Sequence, residues 1–176
     1  MSTSSAARRV ARLLKATGRK VVFAESCTGG LVSGALTKIP GISNYHCGGV
    51  VVYRNETKMA YLDIPAELLD DPGPVSAAVT ELMASKVLEK TPEADFALSV
   101  TGHLGPNAPP QLDGTVYAAI AVRSARGARS TSGPARRLDR RARRLKCRRG
   151  DSRVVRQRWV VEQMLRLLGD ELEARQ

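Results

Sequence analysis

Short apolar runs alternate with segments of helical periodicity along this chain of 176 residues. Runs of this kind, bounded by polar, glycine or proline residues, predict buried strands. The predicted strands are residues 20–24, 48–53, 95–101 and 115–122, with a fifth, edge-like strand at 145–147. Strands that alternate with helices predict an α/β fold, here a three-layer α/β/α sandwich with a mixed, mainly parallel sheet.

Polar caps and glycine or proline stops place helices between these strands. The predicted helices run from Ser4 or Ser5 to Gly18, from Leu31 to Pro40-Gly41, and from a cap at Asn55 to Asp63, with two more capped by Ser76 and Asp151. The length suits one hydrophobic core. Residues 1–176 are therefore predicted to form a single domain.

Positive charge is concentrated in one part of the chain. The net charge is +11, and residues 123–158 hold 15 of the 28 Lys and Arg but only two of the 17 acids. The aperiodic Arg/Ser/Gly stretch at 123–142 is predicted to be a basic surface excursion. It also makes a nucleic-acid-binding protein the competing class, with weak nonspecific binding expected. However, no aromatic residue that could stack on a base precedes Trp159 in this stretch.

Other sequence features indicate the cellular compartment and whether the protein binds a membrane or a metal. No apolar run approaches the roughly 18–20 residues of a membrane span, and the first residues lack the apolar stretch of a secretory signal. The three cysteines cannot all pair, and none has metal-ligand spacing. We therefore expect a reduced, cytoplasmic protein that has no membrane partner and binds no metal.

The first candidate for chemistry is the segment Glu25-Ser-Cys-Thr-Gly-Gly30, where a strand ends and a helix begins. A turn of this kind exposes backbone N–H groups beside the positive end of a helix dipole. It suits a nucleophile, Ser26, with an oxyanion site, or it suits a phosphate cradle. The alternative is ordinary capping by Ser26 or Thr28, with Gly29 and Gly30 present for packing.

The second candidate is Lys58, in the segment that begins at Tyr53. If Asn55 is the helix cap, Lys58 falls in the first helical turn, where the dipole lowers the pKa of a lysine and favours the neutral amine. A neutral amine can act as a base. The alternative is a solvated lysine whose charge is offset by Glu56.

Two further segments could contribute to a site. The loop after Thr101-Gly102-His103 also follows a strand and should open on the same sheet edge. Cys27 could form a nucleophilic pair with His103 or with His46, although a lone cysteine at a helix start is more typically a packed hydrophobe. Near the C-terminus, the two arginines that lie one helical turn apart could both face a phosphate, with solvated side chains as the alternative. They are Arg153 and Arg156.

Taken together, these motifs resemble the CinA C-terminal domain family, the competence/damage-inducible proteins whose activity is nicotinamide-nucleotide amidohydrolase. The similarity extends from roughly Arg8 to Leu168. The larger members of that family carry an additional N-terminal domain, and from the length of this chain we expect it to have no room for one. The matching segments are Ala24-Glu-Ser-Cys-Thr-Gly-Gly30, Gly48-Gly-Val-Val-Val-Tyr53-Arg-Asn55-Glu-Thr-Lys58, Val75-Ser76, Val100-Thr-Gly102 and Gly114-Thr-Val-Tyr117.

The resemblance implies hydrolysis of nicotinamide mononucleotide to nicotinic acid mononucleotide and ammonia, without a cofactor. It implies a serine nucleophile at Ser26, with a tyrosine and a lysine that match Tyr53 and Lys58. On chemical grounds we expect Lys58 to take the hydroxyl proton directly or through Tyr53. Backbone N–H groups of Thr28 to Gly30 are expected to hold the oxyanion. The expected substrate-binding residues are Cys27, Thr28, Gly29, Gly30, Asn55, Thr101, Gly102 and Arg153.

Two departures from the family pattern keep an alternative open. The loop Thr101-Gly-His-Leu-Gly-Pro-Asn-Ala-Pro-Pro110 stands where the family commonly has Thr-Gly-Ile-Ala-Gly-Pro and further glycines. The arginine-rich stretch at 123–149 is longer and more basic than is usual for the family. A member that binds a nucleotide without turning it over is therefore the alternative to the enzyme. A homo-oligomer, most simply a dimer, is expected in either case.

Overall fold

A computed structural model describes residues 3–123 and 138–176 of the chain. The strands are β1 (Val21–Glu25), β2 (His46–Val51), β3 (Phe96–Gly102), β4 (Thr115–Arg123) and β5 (Leu138–Lys146). The helices are α1 (Thr3–Thr17), α2 (Leu31–Leu36), α3 (Asn55–Leu62), α4 (Ala66–Asp70), α5 (Ala77–Glu89) and α6 (Arg153–Ala174), with a 3-10 turn at Ile42–Asn44.

The five described strands form one mixed sheet in the order β2-β1-β3-β4-β5. Strand β1 is parallel to both β2 and β3, whereas β4 is antiparallel to β3 and to β5. The predicted α/β fold with a mixed sheet is therefore confirmed, with its parallel part in β2, β1 and β3. Because parallel strands end at the same edge, the segments that follow β1, β2 and β3 meet there.

Helices cover both faces of the sheet. Successive side chains of a strand point to opposite faces, so each face has its own apolar surface to bury. Phe23 and Leu98 pack under α1, α2 and α6 in one buried cluster. Small residues such as Ala97 and Ala119 form the other face, which packs against α5 in a second cluster. These two cores make the three layers that the alternation of strands and helices predicts.

Several predicted boundaries are wrong by a few residues. Strand β2 lies at His46–Val51 rather than 48–53, and α2 ends at Leu36 rather than near Pro40. The cap of α3 is Arg54, whose N–H donates to Thr57 Oγ1 at 3.2 Å, so Asn55 is the first helical residue instead. Ser152, rather than Asp151, caps α6, and it accepts a hydrogen bond from the Val155 N–H at 3.4 Å.

The fifth strand is much longer than predicted, and α4 was not predicted at all. Strand β5 covers Leu138–Lys146, so residues 138–142 belong to the sheet and not to the predicted surface excursion. The alternation of apolar and polar residues that marks a strand is hidden, because arginines lie on both faces of this edge strand. Arg140 is near Glu81 on one face, and Arg141 pairs with Glu171 on the other. The rest of the predicted excursion, residues 124–137, lies outside the described residues.

The described ranges contain no helix that combines the length and apolarity of a bilayer span. Within the same ranges, no group of three or more His, Cys, Asp or Glu side chains is placed to hold a metal ion.

Gly102 provides a test of the sheet packing. A Cβ at this position would lie 2.7 Å from Val116 Cγ2 and 3.0 Å from the Thr115 carbonyl oxygen. Gly102→Ala should therefore lower the free energy of unfolding by about 1–3 kcal/mol, as overpacked substitutions do. Urea denaturation measures this change.

Gly34→Ala is the matched control, because a Cβ there meets nothing within 4 Å and the residue lies inside α2. This variant should be as stable as the parent or more stable by about 0.5–1 kcal/mol, since alanine favours a helix interior over glycine. Equal unfolding free energies for Gly102→Ala and the parent would contradict the packing that we describe.

Candidate active site

A cleft of about 250 Å³ opens at the edge of the sheet where β1, β2 and β3 end. It is lined by eight of the eleven site residues predicted from the sequence, and by His103. Thr28, Gly29 and Gly30 do not line it. The eight are Ser26, Cys27, Tyr53, Asn55, Lys58, Thr101, Gly102 and Arg153.

Ser26 and Lys58 meet in the buried part of this cleft. Lys58 Nζ donates to Ser26 Oγ at 3.4 Å and to the main-chain carbonyl of Tyr53 at 3.4 Å. Ser26 is 6% exposed and Lys58 is 2% exposed, so the alternative of a solvated lysine is wrong. Burial lowers the pKa of Lys58, because removing the ammonium from water disfavours its charged form. Burial therefore acts on this pKa in the same direction as the predicted helix dipole.

Glu25 fixes the turn that carries Ser26. Its buried carboxylate accepts hydrogen bonds from the Gly30, Val32 and Ser33 N–H groups at 2.8–3.1 Å and from Thr28 Oγ1 at 2.7 Å. A carboxylate at this position satisfies the N–H groups that a helix start leaves unpaired and complements its dipole. Sequence reasoning assigned Glu25 no role, although it begins the conspicuous Glu-Ser-Cys-Thr-Gly-Gly segment.

These contacts engage two of the three N–H groups predicted for the oxyanion site at Thr28 to Gly30, those of Gly29 and Gly30. The Gly29 N–H donates to the Ser26 carbonyl at 3.0 Å, and the Gly30 N–H is engaged by Glu25. The Thr28 hydroxyl is directed at the same carboxylate and is fully buried. The phosphate cradle considered for the same turn fails for the same reason, since Glu25 already occupies the start of α2.

Tyr53 and Arg153 form the outer wall of the cleft. Arg153 donates to the Tyr53 hydroxyl at 2.7 Å and to the Gly105 carbonyl at 2.6 Å. The Tyr53 side chain is 55% exposed, and it is the main chain of this residue, not its hydroxyl, that contacts Lys58. The predicted proton path through the Tyr53 hydroxyl is therefore not the arrangement observed.

Thr101 and Gly102 line the cleft, but both have structural contacts as well. Thr101 Oγ1 donates to the Pro74 carbonyl at 3.1 Å, so its hydroxyl proton is not available to a ligand. Gly102 pairs with Val116 in the sheet, at a position too tight for a side chain. Neither residue offers a free side-chain donor to the substrate that they were predicted to bind.

Arg156 is buried rather than solvated. It is 5% exposed and forms a two-pronged ion pair with Asp113, at 2.6 and 2.9 Å, while also contacting the Leu104 carbonyl at 3.4 Å. The guanidinium lowers the pKa of the Asp113 carboxyl. Arg156 thus fastens the loop after β3 to α6 and does not face the phosphate that the sequence suggested.

The thiol alternative does not fit the observed surroundings of Cys27. Burial raises the pKa of the Cys27 thiol to about 12, which keeps it protonated at neutral pH. His46 lies instead against the Phe23 ring, with its Nε2 atom 2.7 Å from Ser33 Oγ. His103 is half-buried in the wall of the cleft, and burial lowers the pKa of its imidazole.

Alkylation tests the state of Cys27. Treatment of the folded protein with iodoacetamide at pH 8 should leave Cys27 unmodified, because its thiol is 4% exposed and protonated. Cys47 is only half-buried and serves as the internal control that should react first. Mass spectrometry of the peptides distinguishes the two, and labelling of Cys27 as fast as Cys47 would contradict this description.

Comparison with known proteins agrees with this fold. The model of the CinA C-terminal domain family matches residues 3–150. CinA-like proteins of Desulfotalea psychrophila and Geotalea uraniireducens are 47% and 46% identical over 115 and 114 residues, each match covering 64% of this chain. Both are much longer proteins, of which the match covers 28% and 27%.

Two solved structures have the same fold over nearly the whole chain. The competence damage-inducible protein A of Klebsiella pneumoniae is 28% identical with a TM-score of 0.85, and the match covers 100% of both chains. The competence/damage inducible protein CihA of Agrobacterium tumefaciens is 31% identical with a TM-score of 0.81, and covers 97% of this chain and 95% of its own. The chain therefore belongs to the CinA C-terminal domain family.

Proposed function

We propose that this protein is an amidohydrolase that releases ammonia from the carboxamide of nicotinamide mononucleotide. The observation that carries the proposal is the 3.4 Å contact between Ser26 Oγ and Lys58 Nζ inside the cleft. Family membership supports the same reaction, because the CinA C-terminal domain resemblance implies nicotinamide-nucleotide amidase activity. A hydroxyl beside a buried amine is an arrangement that activates a serine nucleophile.

In the first half of the reaction, the neutral Lys58 amine accepts the proton of the Ser26 hydroxyl as Oγ attacks the carboxamide carbon. A 3.4 Å contact in the unliganded site is long for a hydrogen bond, and such contacts commonly shorten when substrate binds. Lys58 then gives the proton to the departing nitrogen. The C–N bond breaks, ammonia leaves, and the nicotinoyl group remains as an ester on Ser26.

In the second half, water attacks the ester carbonyl while Lys58 accepts a proton from it. The Ser26 Oγ–acyl bond breaks, the proton returns to Ser26, and nicotinic acid mononucleotide is released. The overall change consumes one water and yields one carboxylic acid and one ammonia. No step requires an oxidant, a reductant or a metal.

We assign the oxyanion contact to Asn55 in place of the occupied Gly29 and Gly30 amides. Asn55 lines the cleft and is the first residue of α3, the helix that also carries Lys58. Side-chain amides serve as oxyanion donors in acyl transfer, where one donor contributes about 3 kcal/mol to lowering the barrier. Lys58, once protonated, adds positive charge on the same side.

Arg153 and Tyr53 complete the site at its mouth. The Arg153–Tyr53 contact at 2.7 Å places a cation and an aromatic ring side by side. A pyridinium ring can pack on an aromatic face, and a guanidinium attracts the anionic part of a nucleotide. These two side chains therefore suit a pyridine nucleotide better than an uncharged amide.

Ser26→Ala should abolish ammonia release from nicotinamide mononucleotide, because it removes the attacking oxygen. The melting temperature should stay within a few degrees of the parent, since only one small side chain changes. Ser33→Ala, in α2 and outside the cleft, is the matched serine control and should retain activity. Ammonia is measured by a coupled assay, with nicotinamide riboside compared in parallel. Turnover that survives in Ser26→Ala would rule out Ser26 as the nucleophile.

The pH dependence tests Lys58. Since burial lowers the pKa of Lys58 and the neutral amine is the reactive form, kcat/KM should rise with pH through that lowered pKa, below the ordinary lysine range. Lys58→Met should reduce kcat by roughly 10²–10⁴-fold, the usual contribution of a general base.

The same substitution should leave the protein folded, because an apolar side chain replaces a buried ammonium at no electrostatic cost. Thermal unfolding checks this requirement. A folded Lys58→Met variant with parental kcat, or a pH profile of kcat/KM that does not rise below the ordinary lysine range, would remove Lys58 as the base.

A further inference from the structure

A second cavity, of about 580 Å³, lies directly beside the active-site cleft. Asn107 and Ala108 line both spaces, so this part of the loop after β3 is a shared wall between them. Lys146, at the end of β5, and Arg149, just beyond it, also line the second cavity. None of the functional residues assigned above lines this second cavity.

The side chains around the second cavity make it electropositive. Among the described residues that line it, the one carboxylate is Asp113, and both of its oxygens accept hydrogen bonds from Arg156. Lys146 Nζ donates to Thr115 Oγ1 at 3.1 Å, which holds the ammonium in place. Lys146 and Arg149 line the cavity with Asp113, and their charges lower the pKa of its carboxyl further. Because Arg156 already neutralises Asp113, Lys146 and Arg149 give the cavity two positive charges in excess.

The adjoining loop is poorly suited to hold an anion by its backbone. Pro109 and Pro110 have no N–H group, so these two residues contribute no main-chain donor to the cavity. Arg153 lines the active-site cleft and does not line this cavity. An anion at this loop would depend on side-chain cations, and the described residues provide Lys146 and Arg149 for that purpose.

We propose that the second cavity binds a phosphoryl group, with Lys146 and Arg149 as its cationic ligands. Lysine and arginine hydrogen-bond phosphate oxygens more strongly than neutral donors do. The group is either the phosphate of the pyridine nucleotide, reaching past Asn107 and Ala108, or a separate phosphate that binds beside an occupied cleft. The first of these sources rests on the proposed function, and the second does not.

The other explanation for these cations is protection of the sheet edge. Strand β5 is an edge strand, and charged side chains on an edge discourage pairing with other chains. Arg144 and Arg148 are exposed cations of the same segment that do not line the cavity. They provide a control that removes the same charge from the same edge of the sheet.

The experiment measures binding by calorimetry at fixed ionic strength, in a Ser26→Ala background so that no turnover occurs. The double variants Lys146→Ala/Arg149→Ala and Arg144→Ala/Arg148→Ala are compared with their parent. The ligands are inorganic phosphate, nicotinamide mononucleotide and nicotinamide riboside. Ammonia release by the unmodified protein is measured separately, so that failure of the proposed function is recognised independently of phosphate binding.

We expect the Lys146/Arg149 pair of substitutions to weaken inorganic phosphate binding about tenfold, as loss of charged hydrogen bonds does, and the control pair to change it less than about twofold. If nicotinamide mononucleotide weakens equally while the riboside does not, the substrate supplies the phosphate. If inorganic phosphate alone weakens, the cavity binds a separate phosphate. Equal effects of the two double variants, or no phosphate binding by the parent, would overturn the proposal.

Discussion

A lysine side chain buried against a serine hydroxyl is the interaction on which the rest of this site depends. Within the described part of the chain, no carboxylate forms an ion pair with Lys58, whose hydrogen bonds go to Ser26 Oγ and the Tyr53 carbonyl. An ammonium in such a place is costly, and proteins commonly relieve that cost by lowering the pKa. The same burial that makes Lys58 unfavourable as a cation makes it useful as a base.

The parallel part of the sheet brings these groups together, and Glu25 keeps them in place. Ser26 follows β1, and Lys58 lies on the helix after β2, so both reach the edge where neighbouring parallel strands end. Glu25 satisfies the start of α2 and thereby fixes the backbone around Ser26. The N–H groups at the start of α2 that bind Glu25 are therefore not available to a substrate, and side chains supply the charges in the cleft.

Sequence reasoning predicted the α/β fold and the edge of the sheet where the site lies, because strand and helix periodicities survive in local sequence. It missed most of β5, where arginines on both faces of an edge strand hide the alternation. It also gave Arg156 and Gly30 the wrong partners. Arg156 pairs with Asp113, and the Gly30 N–H donates to Glu25. Neither partner can be identified from local sequence. Long-range pairing decides which polar groups remain free for a ligand, and local sequence does not reveal it.

The most direct test is the titration of Lys58 itself. Protein labelled with ¹³C and ¹⁵N in its lysine side chains would be followed by NMR as the pH is raised, with the Lys58 signal identified by its loss in Lys58→Met. The account predicts that Lys58 loses its proton at a lower pH than the exposed lysines of the same sample, because it is buried. Titration of Lys58 together with the exposed lysines, or above them, would contradict it.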